Sequence, residues 1–340
     1  MTDESSGHRQ SRLFTTDDGE FDAERSREQA LPVEDGEVVD VDALEDHQRY
    51  VEGRGVYDER NRVNDLTGRE WKYATKSVIA EQYPPDLQHD LRSEHGGQKP
   101  PRLCMELLQR FSKAGDTVLD PFAGVGGTLL GASLAEHEGT GLREAIGFER
   151  TQRWVDVYHE VLDRENDERT ARGDPPLASQ QMRRGDCRAL AADLDDDAVD
   201  CLLTDVPYWN MDRVEQTRNP SETRESKLGT FEDEGDAADG DAATARTKAE
   251  WLDEMRETFA DLRRVLKPDG YAAVFIGDMY RDQSYHFLAA DLARELDAAG
   301  YTPKASLVWY DPSKDLHVYG YPFSFVPSMV HQNVLVFRNE

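Results

Sequence analysis

Two stretches of this chain bring together residues whose types and spacing could do chemistry. The first is Val118-Leu-Asp-Pro-Phe-Ala-Gly-Val-Gly-Gly-Thr128, in which an apolar strand ends in Asp120, glycines follow at 124, 126 and 127, and a helical pattern begins. Glycine lets a backbone turn tightly and lets a ligand approach it closely. The helix start then offers free N–H groups to an anionic ligand. By itself such a turn is either a nucleotide-type site or a tight strand-to-helix connection. The second stretch is Leu203-Thr-Asp-Val-Pro-Tyr-Trp-Asn-Met211. Here a carboxylate (Asp205), the Val206 carbonyl and an aromatic ring (Tyr208) gather at the carboxyl end of a strand, the edge where open α/β sheets bind ligands. Asp205 and Val206 can each accept an N–H from a planar group bearing an exocyclic amine, and Tyr208 can stack on its ring. The plainer alternative is that Pro207 stops the strand while Tyr208 and Trp209 cap the core.

Two further acids fall where a doubly wound sheet would use them. Glu149 ends the strand after the glycine loop, a position suited to ribose hydroxyls. Asp186, in RRGDCRAL, follows another turn, where a carboxylate can accept from an adenine amine. Each alone is one acid among 69; with the glycine loop they outline an adenosine pocket.

These residues need a framework, and the chain supplies one. Apolar strands read as Asp116–Asp120, Ala145–Glu149, Val199–Asp205, Tyr271–Asp278, Ala305–Tyr310 and Asn333–Arg338. Helical patterns lie near residues 101–112, 127–136, 151–164, 248–265 and 284–299. Such alternation predicts βαβ units and a mostly parallel sheet covered on both faces, with the last two strands as an antiparallel hairpin. Residues 1–50 are acidic and aperiodic and are expected to be a disordered tail. Residues 51–340 are expected to form one domain. It is interrupted by an acidic insertion at about 211–245, whose core from Phe231 holds six acids and no base, and by an aromatic loop at 311–328.

Composition bounds the rest. The 340 residues carry 69 Asp and Glu against 40 Lys and Arg, for a net charge of −29, and only 9 of the bases are Lys. A charge this large self-repels in ordinary buffer but is screened at molar salt, where the Debye length is about 3 Å. The composition predicts adaptation to a salt-loaded cytoplasm, as in a halophilic archaeon, so a missing basic face does not exclude nucleic acid. No stretch approaches the roughly 18 apolar residues of a membrane span, and the start of the chain lacks a signal-peptide core. A soluble, cytoplasmic protein is therefore expected. Cys104, Cys187 and Cys201 lack CxxC spacing, which argues against a disulfide framework or zinc knuckle; no metal is expected.

Four motifs in order make a resemblance specific. DPFAG (Asp120–Gly124) resembles the cofactor loop of the DNA amino-methyltransferases, which use S-adenosylmethionine to methylate adenine N6 or cytosine N4. TDVPYW (Thr204–Trp209) resembles their (D/N/S)PP(Y/F) catalytic loop. HGGQKPPRL (His95–Leu103) resembles their HPxQKPxxL segment, and HQNVLVFR (His331–Arg338) their closing strand. The resemblance covers about residues 50–340. It implies a Rossmann-like class I methyltransferase fold with a mostly parallel seven-stranded sheet. It further implies that Asp120, Pro121, Phe122, Gly124 and Gly126 cradle S-adenosyl-L-methionine, that Glu149 holds its ribose and Asp186 its adenine, and that Lys99 and Thr128 lie near its methionine. Asp205, Val206, Pro207, Tyr208 and Trp209 would form the catalytic loop around a base rotated out of duplex DNA. In-line transfer needs no covalent enzyme intermediate, in keeping with the absence of a Pro-Cys motif.

The chain departs from the family in two places. GVGGT replaces the usual GSGTT, and Val206 replaces the first proline of the catalytic tetrapeptide. The backbone acceptor survives that change. Asp205 leans toward adenine and the PYW extension through Trp209 toward cytosine, with cytosine N4 slightly favoured. No separate target-recognition domain is expected. Three places are candidates for reading the site: the start of the insertion, the aromatic loop and residues 50–94. The first two are favoured, the alternative for the aromatic loop being a hydrophobic lid over the core. Double-stranded DNA is the expected partner, with a homodimer and a cognate restriction enzyme as further candidates. The alternatives are an RNA guanine-N2-type methyltransferase and an inactive cofactor- or DNA-binding module.

Overall fold

The computed structural model describes residues 39–209, 247–281, 283–312 and 314–340. Most of the expected tail and all of the insertion at 211–245 lie outside the described residues. The chain separates into two compact units, one up to Thr75 and one from Lys76 to Glu340. Residues 51–75, read from the sequence as part of the large domain, fall in the first.

In the first unit, β1 (Gln48–Val51) and β2 (Gly55–Asp58) pair antiparallel. Val41–Ala43 form a 3-10 turn capped by the Asp40 side chain, so regular structure begins ahead of residue 50. Helix α1 (Gly68–Ala74) starts at a capping box made by Thr67 and Glu70. Arg54 ties the unit together, donating from Nε to Glu70 at 2.7 Å and from its second amine to the Asp65 carbonyl at 2.7 Å.

The second unit opens with β3 (Val78–Ile79), α2 (His89–Ser93), α3 (Pro101–Phe111) and β4 (Thr117–Asp120), followed by α4 (Gly127–His137), β5 (Glu144–Glu149) and α5 (Gln152–Arg172). Then come β6 (Gln181–Arg184), α6 (Cys187–Ala192), β7 (Val199–Asp205), α7 (Lys248–Arg263) and β8 (Leu266–Ile276). A short hairpin of β9 (Met279–Arg281) and β10 (Ser284–His286) leads into α8 (Leu288–Ala298), β11 (Thr302–Tyr310) and β12 (His331–Arg338). The sheet has eight strands in the order β3-β11-β12-β8-β7-β4-β5-β6. All neighbours are parallel except β12, which runs against both β8 and β11. The expected mostly parallel α/β sheet is therefore present with one more strand than the seven anticipated, the extra one being the two-residue β3.

Alternation along the strands sends neighbours to opposite faces. Val118 and Leu203 pack with Leu103, Leu107, Leu129 and Tyr158 of α3, α4 and α5. Leu119 and Leu202 pack with Trp251, Phe259, Leu262 and Leu292 of α7 and α8. Cys104 and Cys201 are free and buried as small apolar groups, while Cys187 is half-buried. Burial pushes the Cys104 thiol up to about 12. Among the described residues, no helix is long and apolar enough to cross a membrane, and no group of three or more His, Cys, Asp or Glu is arranged to hold a metal ion.

Candidate active site

Parallel pairing sets the carboxyl ends of β4, β5 and β7 side by side: Asp120 stands opposite Gly147, and Leu119 opposite Leu202. A cleft of about 190 Å³ opens along this edge. Of the residues expected at a site, Pro121, Phe122, Gly124, Glu149, Asp186, Asp205, Val206 and Pro207 line it. His95, Phe148, Thr151, Arg188 and Met255 line it too and were not singled out from sequence.

Asp120 does not line the cleft; it braces the wall behind it. It is 4% exposed, and its Oδ1 accepts the Phe122 N–H at 3.1 Å and the Thr204 hydroxyl at 2.6 Å. Burial pushes its carboxyl up to about 6, against hydrogen bonds from Thr128, Thr204 and Phe122 that pull it down. The glycine-rich loop is thus fastened to the strand that carries Asp205.

The two predicted cradle glycines have different jobs. Gly124 is left-handed (φ +51°), and a Cβ there would stand 3.1 Å from the His95 ring at the cleft. Gly126 (φ +76°) is pressed against α5, where a Cβ would fall 2.3 Å from the Tyr158 ring. It serves packing, outside the cleft lining. Thr128 is also buried, its hydroxyl donating to the Leu203 carbonyl at 3.4 Å.

Glu149 receives the Gly124 N–H at 3.0 Å on one oxygen and the Thr151 N–H at 2.7 Å on the other. Burial raises its carboxyl, and these hydrogen bonds act against the rise. Further hydrogen bonds reach it from the Thr151 side chain and the Arg150 N–H, and the carboxylate lines the cleft. Asp186 is the N-cap of α6, with Oδ1 accepting from Arg188 N–H at 3.0 Å and Ala189 N–H at 3.1 Å. The cap uses Oδ1 only, so Oδ2 can address the cleft.

At the catalytic loop, the Lys99 ammonium makes a close ion pair with Asp205 Oδ2 and donates to the Gly97 carbonyl at 3.2 Å. Lys99, which the resemblance places near the cofactor's methionine, thus faces the Asp205 carboxylate. Its Nζ also sits 5.4 Å from the centroid of the Phe275 ring. Asp205 Oδ1 is buried and takes no well-formed hydrogen bond, although the Tyr208 hydroxyl is close enough to pull its carboxyl down. Burial dominates nonetheless, so the Asp205 carboxyl is raised despite Lys99.

Tyr208 is tied from two sides. Gln332 Nε2 donates to its hydroxyl at 2.6 Å, and a Cβ on Gly277 would lie 3.3 Å from its ring. Burial, with the Asp205 charge adding to it, raises its hydroxyl well above the usual value. The carbonyl of Pro207 accepts the Trp251 indole N–H at 2.8 Å, pinning the loop to α7. Val206 and Trp209 are 2% and 9% exposed and pack in the core beside α7. The Trp209 ring, expected at the catalytic edge, meets His286 edge-on at 5.2 Å instead. Thr204, Trp251, Gln332 and His95 carried no signal separable from ordinary core residues, apart from Thr204, Gln332 and His95 lying within the quoted motifs.

The fold and this cleft define a class I methyltransferase whose cofactor is S-adenosylmethionine. The residues fit that group: two carboxylates, Glu149 and Asp186, for its ribose and adenine, and the Phe122 and Phe148 rings beside them. The model of the N6_N4_Mtase family, described as DNA methylase, matches residues 32–160 and 199–338. The chain belongs to that family. The stretch between the two matched segments holds β6, α6 and Asp186.

No curated protein matches the chain. Among solved structures it is similar to TrmN from Thermus thermophilus at 15% identity and a TM-score of 0.44, over 76% of this chain and 55% of that one. It is similar also to TTHA0409, another Thermus thermophilus protein, described as a DNA modification methylase and complexed with S-adenosyl-L-methionine. That match has 17% identity and a TM-score of 0.30, over 46% and 51% of the two chains. A methyltransferase from Haloferax volcanii, in complex with the Trm112 activator, matches at 14% identity and a TM-score of 0.39, over 67% and 84%. The chain spans about half the length of the first two of these structures.

Proposed function

We propose that the protein transfers a methyl group from S-adenosylmethionine to the exocyclic amine of a base rotated out of double-stranded DNA. The observation that carries the reading is the Asp205 carboxylate at the inner end of the cleft, with one oxygen held by Lys99 and the other buried without a well-formed partner. Bound S-adenosylmethionine supplies an electrophilic methyl group on a sulfonium. Asp205 Oδ1 and the Val206 carbonyl each accept one N–H of the amine, which aims the nitrogen lone pair along the line of transfer. Lys99 keeps Asp205 charged inside a site that would otherwise favour its protonation. The methylated amine must shed a proton, and a carboxylate raised by burial is a better base for it than an exposed one. Fixed acceptors in a dry site need no reorganisation at the moment of transfer.

Trp209 carried the lean toward cytosine, but its ring packs in the core. The reading therefore stands for an aminated base, cytosine or adenine, and rests on Asp205. The test is mass spectrometry of nucleosides from duplex DNA incubated with protein and cofactor in high-salt buffer. N4-methylcytosine or N6-methyladenine is expected, and Asp205→Ala should abolish either. Methylation of total tRNA with none of DNA would move the substrate to RNA.

A further inference from the structure

The loop between β11 and β12 leaves the sheet on the catalytic edge, because β11 runs parallel to β7. Its base is closed by the Asp311 N–H donating to the Val330 carbonyl at 2.8 Å. A second rung follows, where the Ser328 hydroxyl accepts the His317 N–H at 2.8 Å and donates to the His317 carbonyl at 3.2 Å. The strand it returns to is tied to Tyr208, whose hydroxyl accepts from Gln332 Nε2 at 2.6 Å, and the Lys314 charge helps to lower the Asp205 carboxyl.

Above the second rung, the loop presents aromatic rings to solvent. Tyr321, Phe323 and Phe325 are 81%, 94% and 93% exposed. Isolated exposed apolar residues are ordinary, but clustered ones mark interaction sites. The local charge indicates the occupant. In a chain with 69 acids among 340 residues, none occurs between Asp315 and Glu340. Residues 316–328, the mostly exposed loop portion of that stretch, are thus spared acids in so acidic a protein, which suits a polyanion. Aromatic rings that must meet a polyanion stack on bases, and an extruded base leaves a gap in the duplex that an apolar wedge can fill.

We propose that Phe323 and Phe325 form a wedge that enters double-stranded DNA at the target base pair and holds the helix open while the base occupies the site beside Asp205. The proposal rests on the DNA reading above.

The test compares the wild-type chain with Phe323→Ala/Phe325→Ala, a variant that removes only exposed rings. Methyl transfer is measured on duplex DNA and on the same DNA heat-denatured, with cofactor affinity measured by calorimetry. The wedge predicts a loss of tenfold or more on duplex, less than twofold change on single strands, and unchanged cofactor affinity. Duplex activity within twofold of wild type overturns it, and so does an equal loss on both DNA forms. Gel filtration showing a dimer that the double substitution dissolves, with duplex activity kept, overturns it in favour of a second copy. A wild-type chain that methylates no DNA fails the functional reading itself, a result separable from the others because it precedes any substitution.

Discussion

Lys99 and Asp205, 106 residues apart in sequence, meet as a buried ion pair at the carboxyl end of β7. Lys99 enters from the segment leading into α3, with its side chain 8% exposed. In the proposed reaction Asp205 is the acceptor on which the chemistry turns, and the pair makes Lys99 a positioning residue that acts on the amine through the carboxylate.

Lys99→Met should lower turnover by about 10²-fold, the lower end of what a positioned acid–base group supplies. The sign of the pH effect follows from the pair. Burial already raises the Asp205 carboxyl and the ammonium opposes that rise. Without it the carboxyl climbs further, and the acidic limb of the kcat/KM profile moves to higher pH. Lys99→Arg should return most of the limb. An unmoved limb in the Met variant would show that the pair is structural only.

Asp120 makes the fold sensitive to pH. Its carboxyl stands at about 6 in the folded chain, against about 3.9 when unfolded. The folded state thus binds more protons between these values, and stability falls as pH rises from about 4 to about 6. The shift corresponds to roughly 3 kcal/mol. Asp120→Asn keeps acceptors for Phe122 N–H and the Thr204 hydroxyl but cannot ionise. Urea denaturation should show the variant gaining stability relative to wild type as pH rises through that window, and parallel curves would refute the assignment.

Asp186 caps α6, and its proposed second role, accepting from the cofactor's adenine amine, separates from the first by substitution. Asp186→Ala removes the cap of α6, which costs about 1 kcal/mol, and also removes the cleft acceptor. Asp186→Asn keeps a capping oxygen while turning a donor toward an adenine amine. Calorimetry should show both variants binding S-adenosylmethionine at least tenfold more weakly, with only the Ala variant melting earlier. Full affinity in the Asn variant would take Asp186 out of the pocket.

Gly126→Ala tests packing, because its Cβ would strike the Tyr158 ring and overpacking costs about 1–3 kcal/mol. Gly53 is a control, with φ +74° and nothing within 4 Å of a Cβ. Gly53→Ala should show only the backbone penalty in chemical denaturation. Equal losses at the two positions would mean that the Tyr158 contact contributes nothing.

Salt should act as a structural ligand of a chain carrying −29. Raising KCl from about 0.1 to about 2 M, which shortens the Debye length to a few ångströms, should raise the melting temperature steadily. A flat curve above about 0.2 M would argue that ordinary screening suffices.

Much of the framework was legible in the residues. The strands ending in Asp120, Glu149 and Asp205 and the helix after Gly126 emerged within a residue or so, because each is a compact apolar run beside a turn signal. Other elements were not legible. β6 (Gln181–Arg184) is an edge strand with no fully buried side chain, so it lacks the alternation that marks a half-buried strand. β8 begins at Leu266, five residues earlier than its apolar run, because the LKPDG stretch follows β7 through a register irregularity. The residues before α8 look helical in sequence, but 284–286 form a hairpin strand.

The sequence by itself determined the order of strands and helices, the glycine loop and the acids and aromatic residue placed at strand ends, because these follow from neighbours in the chain. Only the tertiary structure decided which of them act together. Thr204 reaches Asp120 across 84 residues, Gln332 reaches Tyr208 across 124, and Trp251 reaches Pro207 across 44. It also decided that Trp209 faces the core while Lys99 faces Asp205. A local pattern specifies which face a side chain takes and how a turn closes. The partner waiting on that face is set by the order in which strands assemble, here β12-β8-β7-β4, which brings distant segments to one edge of the sheet.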